Sequence, residues 1–496
     1  MMAIQSPLLV DRRLAPCLVL AAAALAGCTV GPNYVPPKTA APAAWRAPLQ
    51  AGLTQGEIDL HSLATWWTSL KDPQLSSLME RAAAGNLDLK KAQARVREAR
   101  ARRTIARAGR LPTVDAGGSA TWGRSGLVEH ASRGSESYGA DLDAGWELDF
   151  FGGTRRSIEA AQATLQSTEE DLHDVLVSLL AETALNYVDV RTFQARLASA
   201  ESSLASQEET YQLTVWRCQA GLDDDLAIQQ ARYNLENTRS QMPSLRTGLE
   251  EAMNRIAVLL GDAPGSVQKE LTEPAPLPVP PSTLAVGVPA EALRRRPDVR
   301  KAERQLAAQT AEVGVATADL YPKLTLNGSI GLETLSLVHA SSSATWTASG
   351  GPVLSWPLFR ANLRANIEVQ SALQEQYLVQ YEATVLAALE EVENALVAYA
   401  QELQRRDSLE EATRAAQAAA GFARQKYQAG LIDFSTVLDA ERSVLSFQDQ
   451  LNQSRGTVTS NVIRLYKALG GGWDMAVTEA TAKGTPTVAL RQGDNR

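Results

Sequence analysis

The sequence predicts a membrane α+β fold in which one helix–hairpin–long-helix unit occurs twice and the chain cannot close its own sheet. Three observations point there. The first is helical periodicity over a very long reach: Leu378, Tyr381, Val385, Leu389, Val392, Leu396, Tyr399 and Leu403 recur at a spacing near the coiled-coil value. Without a proline between Leu358 and Ala429, that helix would extend roughly 100 Å at about 1.5 Å per residue. The second is duplication. Pro112 and Pro322, Phe151 and Phe359, Gly221 and Gly430, and Gly261 and Gly470 all pair at an offset of about 209 positions. The third is a pair of alternating, small-residue stretches in each half, of the length a tilted strand needs to cross a bilayer.

Composition narrows the function classes. The 496 residues carry a formal charge of −8, which gives no basic surface for nucleic acid. His61, His130, His173 and His339 lack ligand spacing, so no histidine-based metal or catalytic centre is expected. No nucleophile–base arrangement or phosphate loop is present, and the chain reads as a non-enzyme without a cofactor.

Residues 1–27 read as a secretory signal peptide: Arg12-Arg13, an apolar run from Leu14 to Leu25, and small residues before Cys28. Leu25-Ala26-Gly27-Cys28 resembles a bacterial lipobox, which implies cleavage before Cys28 and a covalent N-terminal lipid on its thiol. Thr29 follows, where an aspartate often signals retention at the inner membrane, so the outer membrane is expected. Cys17 leaves with the signal, Cys218 is the remaining thiol, and it is expected to pack as a small hydrophobe.

In order, residues 28–74 form a lipidated tether, extended through Gly31-Pro32-Asn33-Tyr34-Val35-Pro36-Pro37. Repeat 1 occupies 75–261: a helix to about Ala108, a strand hairpin over 113–151, a long helix over 154–220 and a return helix over 222–260, with Pro243 as its kink. A Pro-rich linker takes 262–289. Repeat 2 occupies 290–470, with a helix, a hairpin over 323–357, a long helix over 358–429 and a return helix over 431–469. A tail runs from 471 to 496.

Four strands per chain cannot close a barrel, and an open sheet edge in lipid leaves backbone groups unpaired at several kcal/mol each. Closure therefore needs several chains, and three would supply 12 strands around a wet interior.

The chain resembles the TolC-like outer membrane factors, most closely the acylated NodT-type proteins of RND efflux pumps. The resemblance is carried by Cys28-Thr29-Val30-Gly31-Pro32-Asn33-Tyr34, Trp66-Trp67, Asp72-Pro73-Gln74-Leu75, the paired Leu111-Pro112 and Tyr321-Pro322, Arg295-Arg296-Pro297-Asp298-Val299, the two Ala-Gly-Leu breaks, and Val437-Leu438-Asp439-Ala440-Glu441-Arg442. It implies a homotrimer with a 12-stranded barrel in outer membrane lipid, continued by a periplasmic α-helical barrel and girdled by an equatorial region that includes the tether, linker and tail. It implies a passive exit duct that meets a periplasmic adaptor, the membrane fusion protein, and an inner-membrane RND transporter.

By the same resemblance, adaptor docking falls on Ala220, Gly221 and Leu222 and on Ala429, Gly430 and Leu431. The gate falls on Asp439, a ring of three carboxylates in a trimer, and on Tyr427, which latches the inner helix pair. Thr436 stands where some relatives carry a second acidic ring, and Ala227 where the best-studied type has a latch aspartate. Latch contacts of a different kind are therefore expected. A plainer reading makes the tip glycines helix C-caps followed by buried leucines, and assigns at least two of Asp223, Asp224, Asp225 and Asp433 to N-capping. Two other functions stay open at this point: a duct for type I protein secretion, and a periplasmic coiled-coil structural lipoprotein.

Overall fold

A computed structural model of the protein describes residues 29–38, 41–50, 52–56, 58–123, 135–335 and 344–473. The signal peptide, Cys28 and the tail beyond 473 lie outside the described residues. In chain order the elements are β1 (Leu53–Thr54), α1 (Leu60–Ala64), a 3-10 turn (Trp66–Leu70), α2 (Pro73–Gly85), α3 (Leu87–Ala108), β2 (Thr113–Gly123), β3 (Ser135–Leu148), α4 (Gly153–Gln219) and α5 (Asp225–Leu260). Then come α6 (Gln268–Leu271), β4 (Leu284–Ala285), α7 (Pro289–Arg295), α8 (Pro297–Ala318), β5 (Lys323–Thr334), β6 (Thr345–Ser355), α9 (Ala361–Gln428) and α10 (Phe434–Ala468).

Several boundaries depart from the sequence expectation, each for a local reason. The run to Ala108 is two helices, because Asn86 leaves helical geometry and caps the second: Leu89 N–H donates to its Oδ1 at 2.9 Å, while its Nδ2 donates to the Leu259 carbonyl at 2.9 Å. The helix opening repeat 2 is likewise split, because Pro297 forces Arg296 into an extended conformation. Pro243 lies inside α5, which stays one helix of 36 residues. The tether is extended only at first. Asp59 caps α1, Trp66 and Trp67 sit in the 3-10 turn, and β1 pairs in parallel with β4 from the linker.

The chain divides into two compact units. The first joins residues up to 38 with Arg95–Glu169 and Lys301–Glu382. It holds a four-stranded antiparallel sheet in the order β2-β3-β5-β6. It also holds a strap, Thr29 to Tyr34. Arg156, its side chain only 4% exposed, donates to the Val30 and Gly31 carbonyls and to Asn33 Oδ1. Gly31 and Gly152 both take positive φ, and a Cβ on Gly31 would stand 2.5 Å from the Gly314 Cα.

The second unit holds the apolar cores. One core joins Trp66, Leu75, Leu78 and Met79 to Leu180, Tyr187, Ile256 and Leu260. Asp72 anchors it: its carboxylate accepts from the Gln74 and Leu75 amides and from the Tyr187 hydroxyl at 2.7 Å. Another core joins Trp45 and Val286 to Val392, Leu396, Val462 and Leu465, and a third lies under the two turns that end α4 and α9.

Candidate functional site: a two-faced sheet and a paired helix turn

The sheet in the first unit sorts its side chains by parity. Its strands have 11, 14, 12 and 11 residues, enough to cross a bilayer at a tilt. Their register pairs odd positions with odd and even with even throughout. Side chains alternate across a strand, so the whole sheet has an odd face and an even face. The even face carries Val114, Trp122, Leu142, Trp146, Leu326, Ile330, Leu332, Trp346 and Leu354, all exposed. The odd face carries Asp115, Ser119, Thr121, Asp141, Asp143, Glu147, Asn327, Ser329, Thr347 and Ser349, with Val353 as an apolar exception. A soluble protein does not leave so large an apolar face bare; a bilayer on one side and water on the other accounts for both. Among the described residues no helix is long and apolar enough to cross a membrane.

In the second unit, α4 and α9 end in matching turns. Leu222 N–H donates to the Arg217 carbonyl and Leu431 N–H to the Lys426 carbonyl, both at 2.9 Å, and Gly221 and Gly430 take φ of +73° and +69°. This six-to-one bond with a left-handed residue is a Schellman ending, and it explains both glycines. The expectation of buried leucines is overturned: Leu222 and Leu431 are 64% and 73% exposed. Ala220 and Ala429 are exposed too, and a Cβ on either glycine would meet nothing within 4 Å.

Beneath the turns lies Tyr427, 1% exposed and packed with Ala227, Ala231, Phe434, Val437 and Leu438. Its hydroxyl donates to Asp223 Oδ2 at 2.6 Å and lies 3.3 Å from Thr214 Oγ1. Arg217 Nε donates to the same Asp223 oxygen at 2.7 Å, its Nη1 donates to the Tyr427 carbonyl at 3.0 Å, and its guanidinium stands 4.5 Å from the tyrosine ring centre. Burial, and then the bond to Asp223, pushes the Tyr427 phenol up to about 12, so it remains a donor.

Of the four aspartates near the turns, Asp224 alone makes a capping bond, to the Ala227 amide; Asp433 occupies its N-cap without one. Asp225 accepts instead from Cys218 Sγ at 3.7 Å, and that thiol is half-buried rather than packed in a core. Asp439 and Thr436 are exposed on α10.

Sequence reasoning missed Arg217, gave Asp223 only a capping role, and quoted Glu441 in a motif without a role of its own. A signal for the first two was present: at the offset between halves they align with Lys426 and Ile432, so the paired charges exist in one turn only. Glu441 is 6% exposed, accepts from Thr210 Oγ1 at 2.8 Å, and has Arg424 Nε at 3.7 Å. Burial raises its carboxyl above the ordinary value of 4.5, more than Thr210 and Arg424 lower it. The packed tip therefore holds the proton more tightly than an opened one. The contribution of Glu441 to the tip's stability is fullest below the ordinary glutamate value and declines as pH rises through the raised one. Glu441→Gln should reduce the loss of protease resistance of this region as pH rises through the acidic range. A pH profile identical to that of the parent would remove Glu441 as its source.

Similarity to known proteins matches this geometry. The model of the family described as outer membrane efflux protein matches residues 78–262 and 288–471. The chain is 33% identical over 457 residues to Nodulation protein T of Rhizobium leguminosarum bv. trifolii, covering 91% of this chain and 96% of that one. It is 32% identical over 471 residues to the cation efflux system protein CusC of Escherichia coli, covering 93% of this chain and 100% of that one. Among solved structures, the outer-membrane channel OprN aligns with a TM-score of 0.83 at 38% identity, over 90% of this chain and 100% of its own. A bilayer-spanning sheet, long duplicated helices and this likeness together make the chain a TolC-like channel protomer of the bacterial outer membrane, a member of the outer membrane efflux protein family.

Proposed function

We propose that three copies of this chain form the exit duct of a tripartite RND-type efflux system. The observation that carries the reading is the sheet: four strands, an apolar face, and β2 and β6 each paired on one side only among the described residues. Three such sheets make a 12-stranded barrel with the odd, polar face lining the lumen. The duct performs no chemistry, and an inner-membrane RND transporter supplies the energy.

The lipid on Cys28 fits the strap. Thr29, the next residue, packs against Gly152, where β3 gives way to α4. An acyl chain attached there would enter the bilayer beside the base of the barrel. The exposed Ala220-Gly221-Leu222 and Ala429-Gly430-Leu431 turns are the docking surface for the periplasmic adaptor, since their leucines stand 64% and 73% exposed among the described residues. Cysteines placed at Leu222 and Leu431 should crosslink to the adaptor; crosslinks confined to other sites would remove the turns from that role.

Tyr427, with Arg217 and Asp223, latches the tip, and Asp439 forms the carboxylate ring of the constriction. Single-channel recording in planar bilayers tests the duct and its gate together. The parent should conduct with cation preference, and Asp439→Ala should raise conductance and weaken that preference. Absence of any conductance from the parent would overturn the duct, whereas unchanged selectivity in the variant would overturn the ring alone.

A further inference from the structure

The two open edges of the sheet lead into helices of opposite charge. β2 is entered from α3 and β6 leads into α9, both at the same end of the sheet. α3 carries eight basic side chains against two acidic, although the whole chain has a charge of −8. Its counterpart in the other repeat, α8, carries three of each. Duplication therefore did not produce the basic helix; it belongs to the copy that enters the edge strand.

Within the first unit, Arg97, Arg100 and Arg107 are exposed on α3, Arg100 by 63% even while it donates to Glu169 at 3.2 Å. On α9, Glu368, Glu375 and Glu382 are exposed and recur every seventh residue, which places them on one face. Exposed Val369 and Val379 lie on α9, and exposed Ile105 lies on α3. Apolar side chains flanked by charge are the pattern of a helix that packs against a charged partner helix.

The heights correspond. Arg100 precedes the first residue of β2 by as many positions as Glu368 follows the last residue of β6. If β6 of one copy pairs with β2 of the next, α9 of the first stands beside α3 of the second, with Arg100 level with Glu368. Further from the membrane, Arg97 lies about one turn beyond Arg100 and Glu375 about two turns beyond Glu368, a difference in height of about 6 Å that a long arginine side chain can span.

We propose that the α3–α9 seam between neighbouring copies is an electrostatic zipper, in which Arg97 and Arg100 of one protomer meet Glu368 and Glu375 of the next and fix the order and register of ring closure. The occupant of each charged face is a second copy of this chain, joined head to tail, so the contact closes into a ring instead of a two-fold dimer. The inference rests on the trimeric reading above and adds what selects it. Opposite charges at matched height also disfavour a copy shifted along its neighbour, which would bring like charges together.

The test uses full-length protein extracted from membranes in detergent. Arg97→Glu with Arg100→Glu, or Glu368→Arg with Glu375→Arg, should lower the heat-modifiable trimer on the order of tenfold at low ionic strength. The four substitutions combined should restore it. In a Cys218→Ser background, Arg100→Cys with Glu368→Cys should give disulfide-linked oligomers under mild oxidation, a readout that keeps both helices close to their native charge. Full trimer from either two-residue reversal, or disulfides formed only within single chains, would overturn the zipper while leaving the channel intact. A parent protein that is itself monomeric would overturn the trimeric reading, and the zipper with it.

Discussion

Asp223→Ala should leave the periplasmic end of the channel open. The substitution removes the shared acceptor of Tyr427 and Arg217, leaves the hydroxyl of a residue that is 1% exposed with only the longer contact to Thr214 Oγ1, and leaves a guanidinium of 13% side-chain exposure without its carboxylate. Removing one partner of such a buried charge pair costs about 3 kcal/mol, as large as the few kcal/mol that separate two conformations of an ordinary gate. Tyr427→Phe deletes one hydroxyl and keeps the ring packed against Phe434, so its cost is about 1 kcal/mol. The expected order of open-channel occupancy is therefore Asp223→Ala above Tyr427→Phe above parent. Single-channel recording reads it directly. Equal occupancy in all three would deny the cluster any part in closure.

The second large effect lies in the core around α2. A Cβ on Gly85 would stand 2.0 Å from the Leu260 carbonyl oxygen, and one on Gly261 would stand 2.4 Å from the Gly85 carbonyl oxygen. Both obstacles are backbone, so no rotamer change relieves them. The segments they join carry Leu78, Met79, Ile256 and Leu260, all part of one core. Gly85→Val should destabilise the fold by about 3 kcal/mol, at the upper end of overpacking costs, and remove most of the folded protein from membranes. Gly430→Val is the informative contrast. With nothing within 4 Å of its Cβ, the cost there is backbone strain alone, about 1–2 kcal/mol. Thermal melting of heat-modifiable oligomers should separate the two by many degrees. Indistinguishable melting temperatures would mean that Gly85 is not packed as described.

What was legible in the sequence was whatever repeats along it. Helical period, alternating strands and the constant offset between halves located the two hairpins and both helix pairs to within about three residues. Breaks made by one residue were harder to see. Asn86 ends a helix because its side chain finds Leu259 across the fold, a partner that no local pattern supplies. The aspartates near the tips were ambiguous for the same reason. Capping is a local bond and was predicted for at least two of them, yet Asp223 bonds to Tyr427, which is 204 positions away. The apolar membrane face was visible as alternation, but only the register showed that all four strands agree on parity. The exposure of Leu222 and Leu431 could not be read either, since a Schellman ending ordinarily buries the residue after its glycine.

The unequal turns have a mechanical consequence. The charged cluster fastens the turn after α4 to Tyr427, whereas Lys426 and Ile432 give the turn after α9 no equivalent fastening at the matching positions. Because Tyr427 belongs to the last turn of α9, the cluster ties the two hairpins of one protomer together, and around a closed ring fastened seams within protomers would alternate with unfastened seams between them. Dilation would then begin at the unfastened seams, each protomer's pair of tips swinging as one blade of an iris, and the aperture would pass through a three-cornered outline before becoming round.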